Sequence, residues 1–290
     1  MERRPHTSRP YAIGIAAILG AALSWSTAGL LFKLIDLPPL KISLYRSLFS
    51  CLFLALVAGR GWHAVRVGPG TIGVILSYAF TVDLFVIANK STTAANAILL
   101  QSTAPIWVIL FGALLERRWP RAADVFAVGG ALVGLLLVLA ERVGPTGGRG
   151  NAVALASGLC FGLMMIAMRR ARATPLLHTL ALGNLAAVLL ALPWVWPDFA
   201  LTGEQLFYLV LLGAGQLGVG YVLLTVAIRR LPALEVALFA LLEPVLNPVW
   251  VFLARGERPG VLAMTGGAIV VLVIAFHALA TARRYAGADR

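Results

Sequence analysis

The chain has 290 residues, of which 60% are hydrophobic and only 12% are charged, and its formal net charge is +12. Soluble domains are about 45–50% apolar and about 25% charged, so a water-soluble fold is excluded. The basic residues lie in short gaps between apolar runs, which is typical of a polytopic membrane protein and not of a nucleic-acid-binding protein.

Apolar runs long enough to cross a bilayer core of about 30 Å recur along the whole chain. The first run is too long for the apolar part of a signal peptide, and more runs follow it, so we interpret it as a transmembrane helix. In chain order, the ten predicted helices of this all-α fold are residues 11–32, 40–59, 69–89, 93–115, 122–140, 151–168, 175–195, 204–226, 232–254 and 260–281. The segment 142–151, which contains Gly and Pro, predicts a boundary between two halves, 1–145 and 146–290.

The distribution of lysine and arginine orients these helices. An even number of spans places both termini on one side of the membrane. With the N-terminus in the cytoplasm, 16 of the 24 basic residues fall on the cytoplasmic side and 8 on the other side. Cytoplasmic loops carry the excess of positive charge in membrane proteins. We therefore expect a multi-pass protein whose N- and C-termini are both cytoplasmic.

The two predicted halves resemble each other. When Trp25 is aligned with Phe161, the stretch "SWSTAGLLFKLIDLPPL" lies over "CFGLMMIAMRRARATPL". Further along, a slightly longer offset aligns Pro105 with Pro244, in the fourth and the ninth helix. Because each half has five helices, the second half must enter the membrane from the opposite face. This predicts two inverted five-helix repeats around a central cavity.

Several segments carry a resemblance to a known family. They are "SWSTAGLLFK", "LYRSLF", "APIWVILFGALLERRWPRAADVFAVGGALVG" and "EPVLNPVWVFLARGERPGVLAMTGGAIVV". These segments resemble the drug/metabolite transporter superfamily, in particular its ten-helix EamA type. In that family each half has a proline in mid-span, an acidic residue after that span, matched here by Glu116 and Glu257, and then a Gly-rich helix.

The resemblance implies a function. It implies a secondary transporter of the inner membrane that exports small organic metabolites, with amino acids as the expected cargo. The 7 Trp and 13 Phe residues are similar to those of the aromatic amino-acid exporters within the superfamily. Carriers of nucleotide sugars, drugs or cationic amines in the same superfamily remain the alternative.

The ninth predicted helix holds a carboxylate and two prolines, Glu243, Pro244 and Pro248, in an otherwise apolar run. A charge near the bilayer centre costs about 2.5–3.5 kcal/mol, and each proline leaves the carbonyl one turn earlier without its donor. Such groups are tolerated at membrane depth where they contact protein or a wet cavity. We interpret Glu243 as a cavity residue, with a structural kink as the alternative, and Pro105, Pro244 and Pro248 as helix breaks.

Other polar residues are predicted in mid-span. Asn247 follows Glu243 by four residues, and Asn96 and Thr103 are seven apart in the fourth helix, so each pair shares a helix face. Asn247, Asn96 and Thr103 are candidate cavity residues, and bonding between helices is the alternative. Gln216 is flanked by glycines that permit close helix approach, and a substrate is one partner for its amide.

Two aromatic residues and a second carboxylate complete the predicted site. Trp25 and Tyr78 lie in mid-span, where a ring either stacks on a solute or packs in the core. Asp83 is interpreted either as a proton or amine site, together with Glu243, or as a structural partner of Arg46. If Asp83 or Glu243 titrates during the cycle, transport is proton-coupled; otherwise facilitated diffusion is expected.

The sequence contains no enzymatic motif. It has no Gly-rich phosphate loop followed by Lys-Ser or Lys-Thr, and Cys51 and Cys160 lie in apolar runs without metal-binding spacing. We expect no catalytic residue, no metal and no cofactor, with a membrane-embedded enzyme as the alternative class. The expected partners are a small-molecule substrate and the lipid bilayer, without nucleic acid, and no oligomeric state is predicted.

Overall fold

A computed structural model describes residues 8–117, 119–140, 148–171, 174–255 and 260–287. Within these ranges all regular structure is helical. The side chains of Glu116, Asn247 and Pro248 lie outside the described residues, as does the whole of Glu257.

The helices follow one another with short connections. They are α1 Ser8–Ser26, α2 Ala28–Lys33, α3 Pro39–Ala58, α4 Pro69–Ser91, α5 Ala94–Gln101, α6 Ala104–Glu116, α7 Ala122–Leu139, α8 Gly148–Arg170, α9 Leu176–Val195, α10 Gly203–Val210, α11 Val219–Ile228, α12 Ala233–Ala240, α13 Leu242–Arg255 and α14 Val261–Gly287. A 3₁₀ turn covers Trp62–Ala64, and a π-helix, Leu211–Gly218, joins α10 to α11.

The described residues contain eight helices that are long and apolar enough to cross a membrane. They are Pro39–Ala58, Pro69–Ser91, Ala95–Leu115, Ala122–Leu139, Gly148–Arg170, Leu176–Val195, Gly203–Ile228 and Val261–Ala282, and Pro10–Ser26 is a shorter apolar helix. Large apolar side chains such as Leu56, Phe126 and Phe276 are exposed on the outside of the bundle. The protein is therefore a multi-pass membrane protein in which lipid covers the apolar exterior.

Two of the predicted spans are interrupted next to a proline. The fourth consists of α5 and α6, separated at Ser102 and Thr103, and Pro105 lies in the first turn of α6. The ninth consists of α12 and α13, separated at Leu241, and Pro244 lies in the first turn of α13. A proline is tolerated in the first turn because its missing N–H would have no partner there. The chain therefore restarts a helix at each proline instead of continuing the previous one.

Helices from the two predicted halves pack against each other in opposite directions. The start of α3 meets the end of α9, where Lys41 Nζ lies 2.9 Å from Asp198 Oδ2. The loop after α3 meets the start of α9, where the rings of Trp62 and His178 are 4.7 Å apart. These two contacts show that α3 and α9 are antiparallel.

The same relation holds for other pairs. In α7 and α14, Asp124 Oδ1 at the start of one lies 2.9 Å from His277 Nε2 near the end of the other. In α4 and α8, Ser157 Oγ donates to the Thr81 carbonyl at 2.9 Å, and the start of α4 lies beside the end of α8. In this way helices of the first half pack extensively on helices of the second half.

The interruption between α5 and α6 packs on a glycine. A Cβ atom at Gly158 in α8 would lie 2.7 Å from the Leu100 carbonyl oxygen and 2.8 Å from that of Gln101. Only a glycine lets α8 approach the backbone this closely. The interrupted segment is therefore held directly against a helix of the other half.

Candidate functional site

A small cavity lies at the interruptions, between the two halves of the bundle. The volume that the centres of water molecules can occupy is about 40 Å³, enough for about three waters. It is lined by residues of α1, α3, α4, α5, α8, the π-helix, α11 and α13. They are Trp25, Arg46, Thr81, Val82, Phe85, Gln101, Phe161, Gln216, Leu217, Tyr221 and Glu243.

A buried polar chain fixes one wall of this cavity. Arg46 Nη2 donates to Gln216 Oε1 at 3.2 Å, and Gln216 Nε2 donates to the Trp25 carbonyl at 3.2 Å. Each of these three residues is only 4% exposed. The guanidinium carbon of Arg46 also lies 5.4 Å from the ring centroid of Phe32, within reach of a cation–π interaction. The chain links α3 of the first half to the π-helix of the second half and back to α1.

Gln216 reaches this position from the π-helix. The wider turn of this helix departs from the ordinary i to i−4 bonding, and π-helical turns occur often at functional sites. Ser24 Oγ donates to the carbonyls of Gly215 at 3.1 Å and Gln216 at 2.9 Å. Gly213 permits close contact with α3, because a Cβ there would lie 2.5 Å from the Arg46 carbonyl oxygen. The π-helix is therefore clamped between α1 and α3.

Two carboxylates lie near Arg46, but they have different surroundings. Glu243 lines the cavity in the first turn of α13 and is half-buried. Asp83 is 6% exposed, and its Oδ1 accepts a hydrogen bond of 2.5 Å from Ser43 Oγ. Among the described residues neither carboxylate makes an ion pair with Arg46, although both are close enough to interact with it electrostatically. The direct partner of Asp83 is thus Ser43 and that of Arg46 is Gln216.

Aromatic rings form the remaining wall. The Trp25 ring lies 6.0 Å from Phe161 and 5.3 Å from Tyr221, measured between centroids. Trp25 and Phe161 are the residues that the sequence repeat pairs with each other, and here they meet across the two halves. The cavity thus joins an apolar aromatic wall to a polar wall.

The structure places some of the predicted site residues at the cavity and others away from it. Trp25, Gln216 and Glu243 line the cavity. Tyr78 lies behind it: its ring is 4.6 Å from Tyr221, and its hydroxyl donates to Asn184 Oδ1 at 2.9 Å.

The other predicted polar residues have partners elsewhere or are outside the described residues. Asn96 Nδ2 donates to Asn151 Oδ1 at 3.1 Å and to Thr92 Oγ1 at 3.2 Å, near the end of α4 and the start of α8. Thr103 Oγ1 donates to the Leu100 carbonyl at 2.6 Å in the interruption itself. The backbone of α13 continues through Asn247 and Pro248, whose side chains are outside the described residues.

Several lining residues were not predicted from the sequence, and three of them carry polar groups: Thr81, Gln101 and Tyr221. Gln101 is a lone amide in an apolar run, and this pattern indicates a polar contact inside the bundle. Its Nε2 donates to Ser157 Oγ at 2.9 Å. Tyr221 gave no such indication, because a tyrosine near glycines is equally consistent with packing.

The sequence pattern of the EamA-like transporter family matches residues 12–140 and again residues 148–279. The chain belongs to this family. The resemblance to the drug/metabolite transporter superfamily is thereby confirmed, and membership indicates a transporter of a small molecule rather than an enzyme. The narrower likeness to aromatic amino-acid exporters stays a prediction.

Individual relatives of this EamA-like transporter are similar over most of their length. The chain is 27% identical over 268 residues to the pseudopaline exporter CntI of Pseudomonas aeruginosa, covering 89% of this chain and 93% of the exporter. It is 25% identical over 265 residues to an uncharacterized transporter of Archaeoglobus fulgidus, with the same coverage. A solved crystal structure at 24% identity has a TM-score of 0.79 and covers 96% of this chain and 99% of that one, which shows a shared fold.

Proposed function

We propose that this protein is a secondary transporter that exports small organic metabolites, amino acids above all, across the inner membrane by alternating access. The main observation in support of this proposal is the cavity. It is lined by residues of both halves and lies beside the two interrupted spans. Ligand sites at the interface of repeats, formed by discontinuous helices, are typical of secondary transporters. Export as the direction is supported by the relative that is named an exporter.

The proposed architecture is ten transmembrane helices in two inverted repeats, 1–145 and 146–290. The antiparallel packing of α3 on α9 and of α7 on α14 supports it, because in each pair the second helix is the proposed repeat of the first. The ninth proposed span is α12 together with α13. The bias of lysine and arginine supports cytoplasmic N- and C-termini.

The size of the cavity implies movement. Sites for small organic ligands have volumes of about 300–1,000 Å³, whereas this cavity holds about 40 Å³. The halves must therefore separate on one side to admit cargo. The interruptions before Pro105 and Pro244 are the proposed flexing points, because backbone hydrogen bonding is already broken there.

Cysteine labelling tests the inverted topology. In a background with Cys51 and Cys160 replaced by serine, Asp36→Cys and Thr174→Cys mark the corresponding loops of the two halves. An impermeant maleimide applied to whole cells should label position 36, and position 174 only after permeabilisation. Labelling of both positions from the same side would refute the inverted repeat.

Flux measurements test the transport function. Purified protein in proteoliposomes should mediate amino-acid counterflow, and Glu243→Gln should reduce it while the melting temperature shows a folded protein. Glu204→Gln is the matched control, because Glu204 is exposed at the start of α10. Normal flux in Glu243→Gln would remove Glu243 from the mechanism. Uphill flux driven by an imposed pH gradient identifies proton coupling, and flux that is only downhill identifies facilitated diffusion.

A second cargo class has one observation in its favour. The relative from Pseudomonas aeruginosa is named for the export of pseudopaline, so a metabolite of that kind is the alternative cargo. The two cargo classes are separated by adding pseudopaline to the amino-acid counterflow assay. Inhibition of counterflow by pseudopaline would favour the alternative cargo.

A further inference from the structure

We propose that the cavity recognises a zwitterionic amino acid by its two charges, the carboxylate at Arg46 and the ammonium group at Glu243. The inference rests on the proposed function and assigns the recognition of each charge to named side chains.

Hydrogen-bond donors without protein acceptors form the anion subsite. Arg46 Nε, Arg46 Nη1 and Trp25 Nε1 are buried and have no hydrogen-bond partner among the residues that the structure describes. Both side chains line the cavity, but Trp25 Nε1 lies against Gly220 of α11, where it is the atom nearest to an added Cβ. The two Arg46 nitrogens therefore carry the anion subsite. Buried donors are normally paired, and leaving one unpaired is costly. A ligand carboxylate would accept from these donors and remove that cost.

Arg46 is held in place before cargo binds. Its Nη2 is occupied by Gln216 Oε1, and its planar group lies against the Phe32 ring. Gln216 is fixed in turn by the Trp25 carbonyl. A charged donor that is already oriented loses little conformational freedom on binding a carboxylate.

Glu243 is the acceptor for the other charge. It lines the same cavity from α13 of the second half. In the part of the chain that the structure describes, its carboxylate makes no hydrogen bond and no ion pair. Asp83, the other carboxylate near Arg46, bonds to Ser43 and does not line the cavity. An ammonium group in the cavity is therefore recognised by Glu243.

Charge balance favours a cargo with both charges. Moving a net charge out of water into a buried site carries a desolvation penalty that must be offset locally. A zwitterion adds no net charge to the cavity, and each of its ends meets an opposite charge. The rings of Trp25, Phe161 and Tyr221 supply an apolar wall for its side chain.

The experiment compares three ligands on purified protein by thermal shift and calorimetry. They are L-phenylalanine, 3-phenylpropionate, which lacks the amine, and 2-phenylethylamine, which lacks the carboxylate. We expect each one-charge ligand to bind about tenfold more weakly than L-phenylalanine, or weaker still. Equal affinity of either one-charge ligand would overturn the proposal, and so would the absence of binding by all three.

Variants assign each charge to its residue. In Glu243→Gln, 3-phenylpropionate should bind as well as L-phenylalanine, while 2-phenylethylamine stays weak. In Arg46→Gln the pattern should reverse, and Arg46→Lys should restore part of the preference for the carboxylate. Glu235→Gln is the matched control, because Glu235 is also a buried carboxylate but bonds to Tyr11 outside the cavity. It should keep the wild-type ratios.

The outcomes separate this inference from the proposed function. Ratios that are the same in Glu243→Gln and Arg46→Gln as in the wild type refute the assignment even if amino-acid flux persists. If the three ligands bind as expected but none crosses the membrane, the recognition stands and the transport function fails. Should Arg46→Gln not fold, the ligand series on the wild type and on Glu243→Gln still decides the question.

Discussion

Replacing Gly158 with alanine tests how the interrupted fourth span is held. The new Cβ would lie 2.7 Å from the Leu100 oxygen, 2.8 Å from the Gln101 oxygen and 2.9 Å from Thr103 Oγ1. Carbon and oxygen atoms normally approach to about 3.3–3.6 Å, so α8 or the interrupted backbone must move by about half an ångström. Two of the three atoms are backbone and cannot rotate away.

The magnitude follows from two opposing effects. Overpacking costs about 1–3 kcal/mol, and rigid backbone contacts favour the upper end. Alanine also gains about 1 kcal/mol over glycine in helix propensity. The net loss in the free energy of unfolding is therefore about 2 kcal/mol. At about 2–4 °C per kcal/mol, the melting temperature falls by about 4–8 °C.

Gly129→Ala in α7 is the matched control, because no atom of the described residues lies within 4 Å of a Cβ at that position. Only the propensity gain applies there, so its melting temperature should rise by about 2–4 °C. The melting temperatures of both variants are measured by scanning fluorimetry in the same detergent. Amino-acid counterflow in proteoliposomes then shows whether a change at the interruption between α5 and α6 alters transport. A Gly158→Ala protein that melts at or above the wild-type temperature would show that α8 does not hold the interruption.

Two further predictions concern polar contacts at different depths. Gln216→Leu removes the acceptor of Arg46, and a hydrogen bond to a charged group contributes about 1.5–3 kcal/mol, so the melting temperature should fall by several degrees; an unchanged value contradicts a structural role for this bond. In the loop after α9, hydrogen bonds from Lys41 and from a backbone N–H lower the pKa of Asp198 below its ordinary value. A lowered folded-state pKa adds stability that is present above the unfolded-state pKa of about 3.9 and is lost as the pH falls through the folded-state value. Asp198→Asn should therefore melt below the wild type at pH 7, and the difference should shrink below about pH 4; a constant difference would refute the ion pair.

The interruptions could be anticipated from the sequence because their cause is local. A proline affects the backbone within one helical turn of itself, so Pro105 and Pro244 point to their own surroundings. The membrane class follows from composition for a similar reason, since no packing detail alters the apolar content. These inferences need no knowledge of which helices are neighbours.

The direction in which individual side chains point could not be predicted from the sequence in the same way. Asn96 and Thr103 share a face only if the helix between them is continuous, and the interruption at Ser102 ends that relation. The π-helix changes the angular position of Gln216 relative to an α-helix. Periodicity assigns residues to faces of one unbroken helix, so it fails where a transporter helix is irregular.

The two halves match the same family pattern, but they differ in the charges that they bring to the cavity, and this difference bears on the proposed mechanism. In the alignment that pairs Trp25 with Phe161, Arg46 corresponds to Leu182. In the alignment that pairs the prolines of the two interrupted spans, Glu243 corresponds to Ala104. Each charge of the cavity therefore occurs in one half only.

In the proposed alternating-access cycle, a binding site that is not duplicated takes one cargo at a time. Arg46 comes from the first half and Glu243 from the second, so a zwitterion bound between them bridges both halves. On the proposed assignment, a ligand with both charges makes a charged contact with each half, whereas a ligand with one charge makes a charged contact with one half only. Recognition of the cargo and closure of the two halves over it then depend on the same two contacts, one at Arg46 and one at Glu243. Removing one charge from the ligand should therefore reduce the flux at least as much as it reduces the binding affinity.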